Sequence, residues 1–369
     1  MLTRFRLNCW TLASAIGLLL AGTAAAEYLP REYYGAKYEP VNQIIHGAGQ
    51  DSSVSPAWEQ AFDRYTEFVG ANRRPLTFMD YGTWRAGQSF YDGLKTRLDA
   101  YEAQGHYTIP QIGLSLPVGV EAYKNSSVTD AQIQAMADGF KSLDRSVFIR
   151  IGYEVNGTWS TYYQNPELYK NDFRRIVTKF RDEGVQFASL WNVYPAYSSW
   201  YGSWDFMKTM YPGDEYVDWF SFDTFFQGEH VSPHMREFLD QAHAHGKPVM
   251  IGEAAPRNLN TEDAAAWDVW FETFFELIQD EPGIKGHTYI NWDWEAAPGF
   301  FDGWGDSRLE TADPLLQQNY LNEISNSIYY HAGAEQPSFI PEPMSGAMLA
   351  LGLGLLTCSR RPTRSTTTA

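Results

Sequence analysis

Phe148-Ile-Arg-Ile-Gly-Tyr-Glu-Val-Asn-Gly-Thr-Trp159 begins as a β-branched apolar run and ends in a carboxylate, an amide, a glycine and an indole. Alternation of this kind reads as a buried strand whose tip carries polar groups. Parallel barrels display functional side chains at such tips, because the carboxyl ends of all their strands share one rim. Glu154 is therefore the first candidate for chemistry. A second run, Pro248-Val-Met-Ile-Gly-Glu-Ala254, closes in the same way and places Glu253 at another tip. Two glutamates ending two apolar strands predict a pair of carboxyl groups facing each other across a cleft.

Strand-like and helix-like stretches alternate eight times around these runs. The expected strands are Val41 to Ile45, Leu76 to Asp80, Thr108 to Leu116, Val147 to Tyr153, Gln186 to Val193, Val217 to Phe222, Val249 to Ile251 and Thr288 to Trp292. Ser55-Pro56, Asn165-Pro166, Ser232-Pro233 and Asp313-Pro314 each read as a capping side chain followed by proline at the first helical position. Between Thr261 and Gln279, Trp267, Trp270, Phe271, Phe274, Phe275 and Ile278 form one apolar stripe, as on a helix lying against a sheet. No glycine-rich phosphate loop follows the first strand, which argues against a doubly wound open sheet. The expected fold is a single (β/α)8 TIM barrel spanning residues 27–330.

Composition narrows the partners. The 369-residue chain has a formal net charge of −17, which disfavours nucleic acid and anionic membrane surfaces. Arg4 and Arg6, the apolar run Trp10 to Leu20 and Ala24-Ala25-Ala26 read as a signal peptide over residues 1–26. Cys9 and Cys358 both lie outside the expected barrel, so no disulfide braces it. Residues 331–340 read as a linker. Pro341-Glu342-Pro343, the apolar run Met344 to Leu356 and Arg360, Arg361 and Arg364 follow, and this three-part order resembles the PEP-CTERM sorting signal. That resemblance implies export from a Gram-negative cell, with membrane contact only through residues 341–364. The destination expected is the cell envelope or the medium.

The strand tips offer His46, Asp80, Glu154, Asn156, Asn192, Asp223, Glu253, Asn291 and Asp293, with Trp84, Trp159, Trp191, Trp292 and Trp294 close by. A polar cleft rimmed by flat rings suits a sugar chain, since rings meet the C–H faces of pyranoses while amides and carboxylates bond the hydroxyls. Glycoside hydrolysis needs one carboxyl group to protonate the leaving oxygen and a second to attack or to activate water. A metal-dependent barrel hydrolase using His46, Asp80, Asp223, Glu253 and Asp293 is the competing enzyme reading, although it lacks clustered histidines. A non-catalytic polysaccharide-binding barrel is the third. His243 and His245 precede the seventh strand, on the face opposite the tips, where they suit a helix C-terminus.

Arg150, Tyr153, Glu154, Asn156, Gly157 and Trp159, with Ile251-Gly252-Glu253 and the run Tyr211 to Trp219, resemble glycoside hydrolase family 26 of clan A. The resemblance implies Glu154 as acid/base and Glu253 as nucleophile of a retaining, mannanase-like hydrolase acting on a β-linked polysaccharide. It implies no cofactor and no metal, and a monomer is expected. Tyr153 stands where that family usually has histidine, and Phe225 where a tyrosine commonly bonds the nucleophile. Both positions shape the subsite of the reacting sugar, so weak activity on plain mannan and better turnover of another β-glycan are expected. His46, Asp80, Trp84, Arg150, Tyr153, Asn156, Trp159, Trp191, Asp223, Phe225, Trp292 and Trp294 are the candidate substrate contacts. For Arg150, a buried ion-pair role below the rim is an equal alternative.

Overall fold

The computed structural model describes residues 28–195 and 199–339. The expected N-terminal signal and C-terminal sorting segment lie outside the described residues. Eight strands form the barrel: β1 (Ile44–Ala48), β2 (Thr77–Thr83), β3 (Ile109–Ser115), β4 (Val147–Ile151), β5 (Phe187–Val193), β6 (Trp219–Thr224), β7 (Val249–Ala254) and β8 (Ile284–Tyr289). Each pairs in parallel with its neighbour in sequence, and β8 pairs with β1, so the ring closes as a (β/α)8 TIM barrel. A short β9 (Tyr329–Tyr330) adds to the lower end of β1 through Ile44 and Ile45. The outer shell holds α1 (Ala61–Val69), α2 (Gln88–Ala103), α3 (Asp130–Ser142), α4 (Pro166–Asp182), the single turn α5 (Trp204–Met207), α6 (Pro233–Ala244), α7 (Glu272–Asp280) and α8 (Pro314–Ile324). Among the described residues no helix is long and apolar enough to cross a membrane.

Alternation along the strands sorts the core into two. Outward positions such as Ile149, Ile151, Trp191, Phe220 and Phe222 pack under the helices. Inward positions such as Ile45, Ile109, Phe148, Leu190, Trp219 and Met250 fill the lower half of the barrel. Each such side chain contributes about 1.5–3 kcal/mol through burial. One or two residues further along each strand the interior turns polar, with Gln111, Arg150, Asn192, Ser221 and Asp223 all buried. That change, on inward positions only, builds the floor of the site.

Caps and boundaries depart from expectation in places. Ser232 accepts from Met235 N–H and Asp313 from Leu315 N–H, with proline next in the helix in both cases. Asn165 precedes Pro166 at the start of α4 without a side-chain cap. Ser55-Pro56 does not open a helix; α1 starts at Ala61 after Gln60, whose φ is 59°. The seventh helical stretch begins with a π-turn over Trp267–Phe271, and Trp270, Phe271, Phe274, Phe275 and Ile278 form its buried stripe. At the barrel floor Ala332 N–H donates to Arg74 O, and Phe339 stacks edge-on against Tyr330.

Candidate active site

Arg150 is the hub. It is fully buried, and its Nη1 donates to Glu253 Oε1 at 2.6 Å and to Asp223 Oδ2 at 3.2 Å. Burial opposes its charge, but the Glu253 and Asp223 carboxylates outweigh burial and hold its pKa above the ordinary value. The ion-pair role considered for Arg150 is the one seen, and its partner is a candidate catalytic carboxylate.

Glu253 reaches this hub through a β-bulge. Val249 and Ile251 face the helices, so regular alternation would send Glu253 outward as well. The pairing slips instead: Phe222 opposes Ile251, and Asp223 opposes Glu253, leaving Gly252 as the extra residue. The bulge re-aims Glu253 into the barrel. Gly252 is required there, since a Cβ would come within 2.7 Å of Asp223 Oδ1 and 2.9 Å of both Arg150 Cδ and Ser221 Oγ. Gln111 Nε2 anchors the bulge by donating to Gly252 O at 2.9 Å.

Glu154 follows β4 in a tight curl, with φ of 66° at Gly152 and 47° at Glu154. A left-handed glutamate is strained unless its surroundings hold it. Here its N–H donates to Asn192 Oδ1 at 2.7 Å, and its carbonyl accepts from Gly157 N–H at 2.8 Å. Trp159 Nε1 donates to Glu154 Oε2 at 2.6 Å. Burial, then the Asp223 and Glu253 charges, push the Glu154 carboxyl well above the usual range; the Trp159 indole and Arg150 pull the other way. Asp223 is also raised, first by burial and then by Glu253, against Arg150 and the Asn192 amide at 3.0 Å. No group of three or more His, Cys, Asp and Glu side chains suited to a metal occurs among the described residues.

The remaining candidates divide. Tyr153 lies over the hub, with the Arg150 guanidinium 5.5 Å from its ring. Trp159 is 53% exposed and borders the opening. Trp84 is buried against Tyr123 and Arg85 at the end of β2. Phe225 is buried among Tyr194, Trp294 and Trp304. Trp292 and Trp294 are buried too, Trp292 lying flat on Trp58 at 4.1 Å, so they wall the mouth from behind rather than offer open ring faces.

Four candidates turn away from the cleft or are consumed by scaffolding. His46 is two residues short of the β1 tip and faces outward, stacked on His287 and bonded to Tyr65 of α1. Asp80 shares the outward face of Ile112 and Ile149, and burial raises its pKa to about 6. Trp191 packs under the helices with Trp204, Tyr211 and Phe238. Asn156 is a buried clip: its amide donates to Tyr194 O and Tyr201 O, and its oxygen accepts from Tyr194 N–H. With His46 and Asp80 outside the barrel, the metal set read from sequence does not converge. His243 and His245 bond Glu32 and Asp214 far from the tips.

Sequence reading missed Tyr81, Gln111 and Glu229. Glu229 accepts from the N–H groups of Phe225 and Phe226 and from the Tyr194 hydroxyl at 2.5 Å, fixing the loop after β6. Only its position after the β6 tip signals that role.

The glycosyl hydrolase family 26 profile matches residues 100–293, which include both glutamates and the hub. The chain belongs to that family. Its sequence is 29% identical over 289 residues to a β-1,3-xylanase, TXYA, from Vibrio sp., covering 66% of this chain and 61% of that protein. It is also 29% identical over 226 residues to a β-1,3-xylanase from Alcaligenes sp., covering 53% and 46%. The chain thus spans about half to three-fifths of the length of these relatives. Among solved structures, an endo-β-1,4-mannanase from Cellulomonas fimi superposes with TM-score 0.56 at 14% identity, over 86% of this chain and 78% of that one. GH26C from Muricauda sp. superposes with TM-score 0.54 at 13% identity, over 82% and 90%. At such identities these structures speak for the barrel alone.

Proposed function

We propose that this family 26 chain is a retaining endo-hydrolase of β-1,3-linked xylan. The reaction reading rests on one observation: two glutamates at the same rim occupy opposite electrostatic settings. Glu253 is ion-paired to Arg150 at 2.6 Å, which suits an ionised nucleophile. Glu154 is pushed up by burial and by neighbouring carboxylates, which suits a proton donor. In the first step Glu253 attacks the anomeric carbon while Glu154 protonates the departing glycosidic oxygen. In the second, Glu154 takes a proton from water, which displaces Glu253.

The substrate reading rests on the two β-1,3-xylanase relatives and agrees with tyrosine at 153 and phenylalanine at 225. Export to the envelope or medium is part of the proposal, carried by the signal-like residues 1–26. Intact-mass analysis of the secreted protein should show them removed.

Purified protein is tested on β-1,3-xylan, β-1,4-xylan and β-1,4-mannan, with proton NMR of the first product. Preference for β-1,3-xylan by at least tenfold in kcat/KM, and a β-configured new reducing end, are expected. A mannan preference overturns the substrate reading. An α-configured first product overturns double displacement.

A further inference from the structure

Tyr81, Gly113 and Arg150 are register partners on β2, β3 and β4, so their side chains leave the sheet on the same, inward face. Gly113 has no side chain to put there. A Cβ at that position would lie 2.6 Å from Tyr81 Cδ1 and 3.0 Å from Arg150 Nη2. The missing side chain lets the Tyr81 ring lie across β3 and meet the hub. The guanidinium carbon of Arg150 is 5.6 Å from that ring, and the Tyr153 ring lies 5.1 Å away on the other side. The same guanidinium donates to Glu253 Oε1 at 2.6 Å, so the Tyr81 phenol and the Glu253 carboxylate meet at one hub. Phe225, on the opposite side of the site, has no hydroxyl to offer and is buried among aromatic rings.

We propose that Tyr81 is a positioning residue for the reaction, its O–H holding the Glu253 carboxylate in the orientation from which it attacks. The inference rests on the reading of Glu253 as nucleophile. In the step concerned, a Glu253 oxygen forms a bond to the anomeric carbon. The bond from that carbon to the leaving oxygen breaks, and its electron pair departs with the leaving group. The phenol proton is not transferred; its hydrogen bond and the Arg150 contact fix the carboxylate before attack. Burial and the Glu253 charge raise the phenol's own pKa well above its ordinary value, so it remains a donor throughout the neutral range. Donors fixed in this way cost nothing to reorganise during reaction.

The test isolates that step. A 2-deoxy-2-fluoro-xylobioside with a dinitrophenolate leaving group needs no proton from Glu154 and traps the covalent intermediate. The maximal labelling rate, the reagent concentration giving half of it, and the labelled peptide are measured for the wild type, Tyr81→Phe and Gly113→Ala. Tyr81→Phe is expected to slow maximal labelling on the order of 100-fold, the scale of losing one fixed donor, with the half-saturating concentration unchanged. Gly113→Ala keeps the hydroxyl but occupies the ring's place, and should slow the same step. It decides the matter alone if Tyr81→Phe does not fold. Labelling of Glu253 within threefold of the wild-type rate in the folded variants overturns the role of Tyr81 and leaves Glu253 as nucleophile. Wild-type label on a residue other than Glu253 overturns the proposed mechanism itself, and the Tyr81 inference with it.

Discussion

At the scale of single residues, the proposed division of labour between the two glutamates rests on what each is bonded to. Trp159 is instructive because its indole N–H stabilises the ionised form of Glu154, against burial and two carboxylate charges. Trp159→Phe removes that donor while keeping an aromatic ring at the rim. The carboxyl pKa should rise further, so the basic limb of the kcat/KM profile, where the acid loses its proton, should move to higher pH. An unmoved or lowered basic limb would show that the indole does not act on Glu154. Glu154→Gln makes a complementary prediction. It should lower kcat/KM on xylan by at least 100-fold, yet leave the release of dinitrophenolate from an activated xyloside within tenfold of wild type in the first turnover. Stopped-flow absorbance would settle this, and equal losses on both substrates would contradict the acid role.

At the scale of elements, the site is made by where strands end and where one of them slips. β4 and β7 were legible from sequence because each apolar run stops abruptly at a glycine followed by a polar residue, Gly152 before Tyr153-Glu154 and Gly252 before Glu253. β1, β2 and β8 were legible too, but with shifted ends. β2 runs on to Thr83 because Tyr81 and Gly82 extend it past the aspartate that looked like its tip; Tyr81, not Asp80, therefore faces in. β8 starts at Ile284 and buries Lys285 and His287, which hide its start from any apolar pattern; Lys285 is balanced by Glu32 O at 2.6 Å and Glu39 at 3.6 Å. β1 begins at Ile44 rather than Val41, which puts His46 in mid-strand. The slip at Gly252 has no sequence signature beyond the glycine itself, although it alone aims Glu253. Gly252→Ala should thus leave the barrel folded, destabilised by about 1–3 kcal/mol from overpacking. It should also lower kcat on xylan by at least 100-fold, because the methyl displaces Arg150 or Asp223. Near-normal kcat, measured beside a chemical-denaturation curve, would show that the bulge tolerates a side chain and does not control the placement of Glu253.

At the scale of the whole molecule, the end of the described chain is tied to the first barrel strand by uncharged histidines. His331 Nε2 lies 2.9 Å from Ile324 O, a carbonyl that only accepts, so that nitrogen carries the proton. In the neutral ring Nδ1 is then the acceptor, and it faces His46 Nδ1 at 3.0 Å, which must donate. His46 Nε2 is left to accept from Tyr65 at 2.6 Å, and Tyr65 accepts in turn from Tyr320 at 2.7 Å. His287, stacked on His46 and enclosed by Phe274 and Tyr329, has no hydrogen-bond partner at either nitrogen. Burial lowers its pKa to about 3, with the His331 charge adding to the effect, and burial lowers that of His331 to about 4. The unfolded chain binds these protons near pH 6.5 while the folded chain refuses them, so stability is fully present above about 6.5 and falls as the pH drops toward about 3–4. Each histidine removes up to about 1.4 kcal/mol per pH unit within that window. The raised carboxyls of Glu154 and Asp223 act with the opposite sign, so a comparison with a variant is needed to expose the histidine contribution. His287→Leu removes one such site without breaking the hydrogen-bond chain. Its unfolding free energy should fall less steeply than the wild type's between pH 7 and pH 4.5. Parallel curves from urea titrations across that range would mean that His287 enters the unfolded state with its protonation unchanged, and that burial at this seam carries no pH cost.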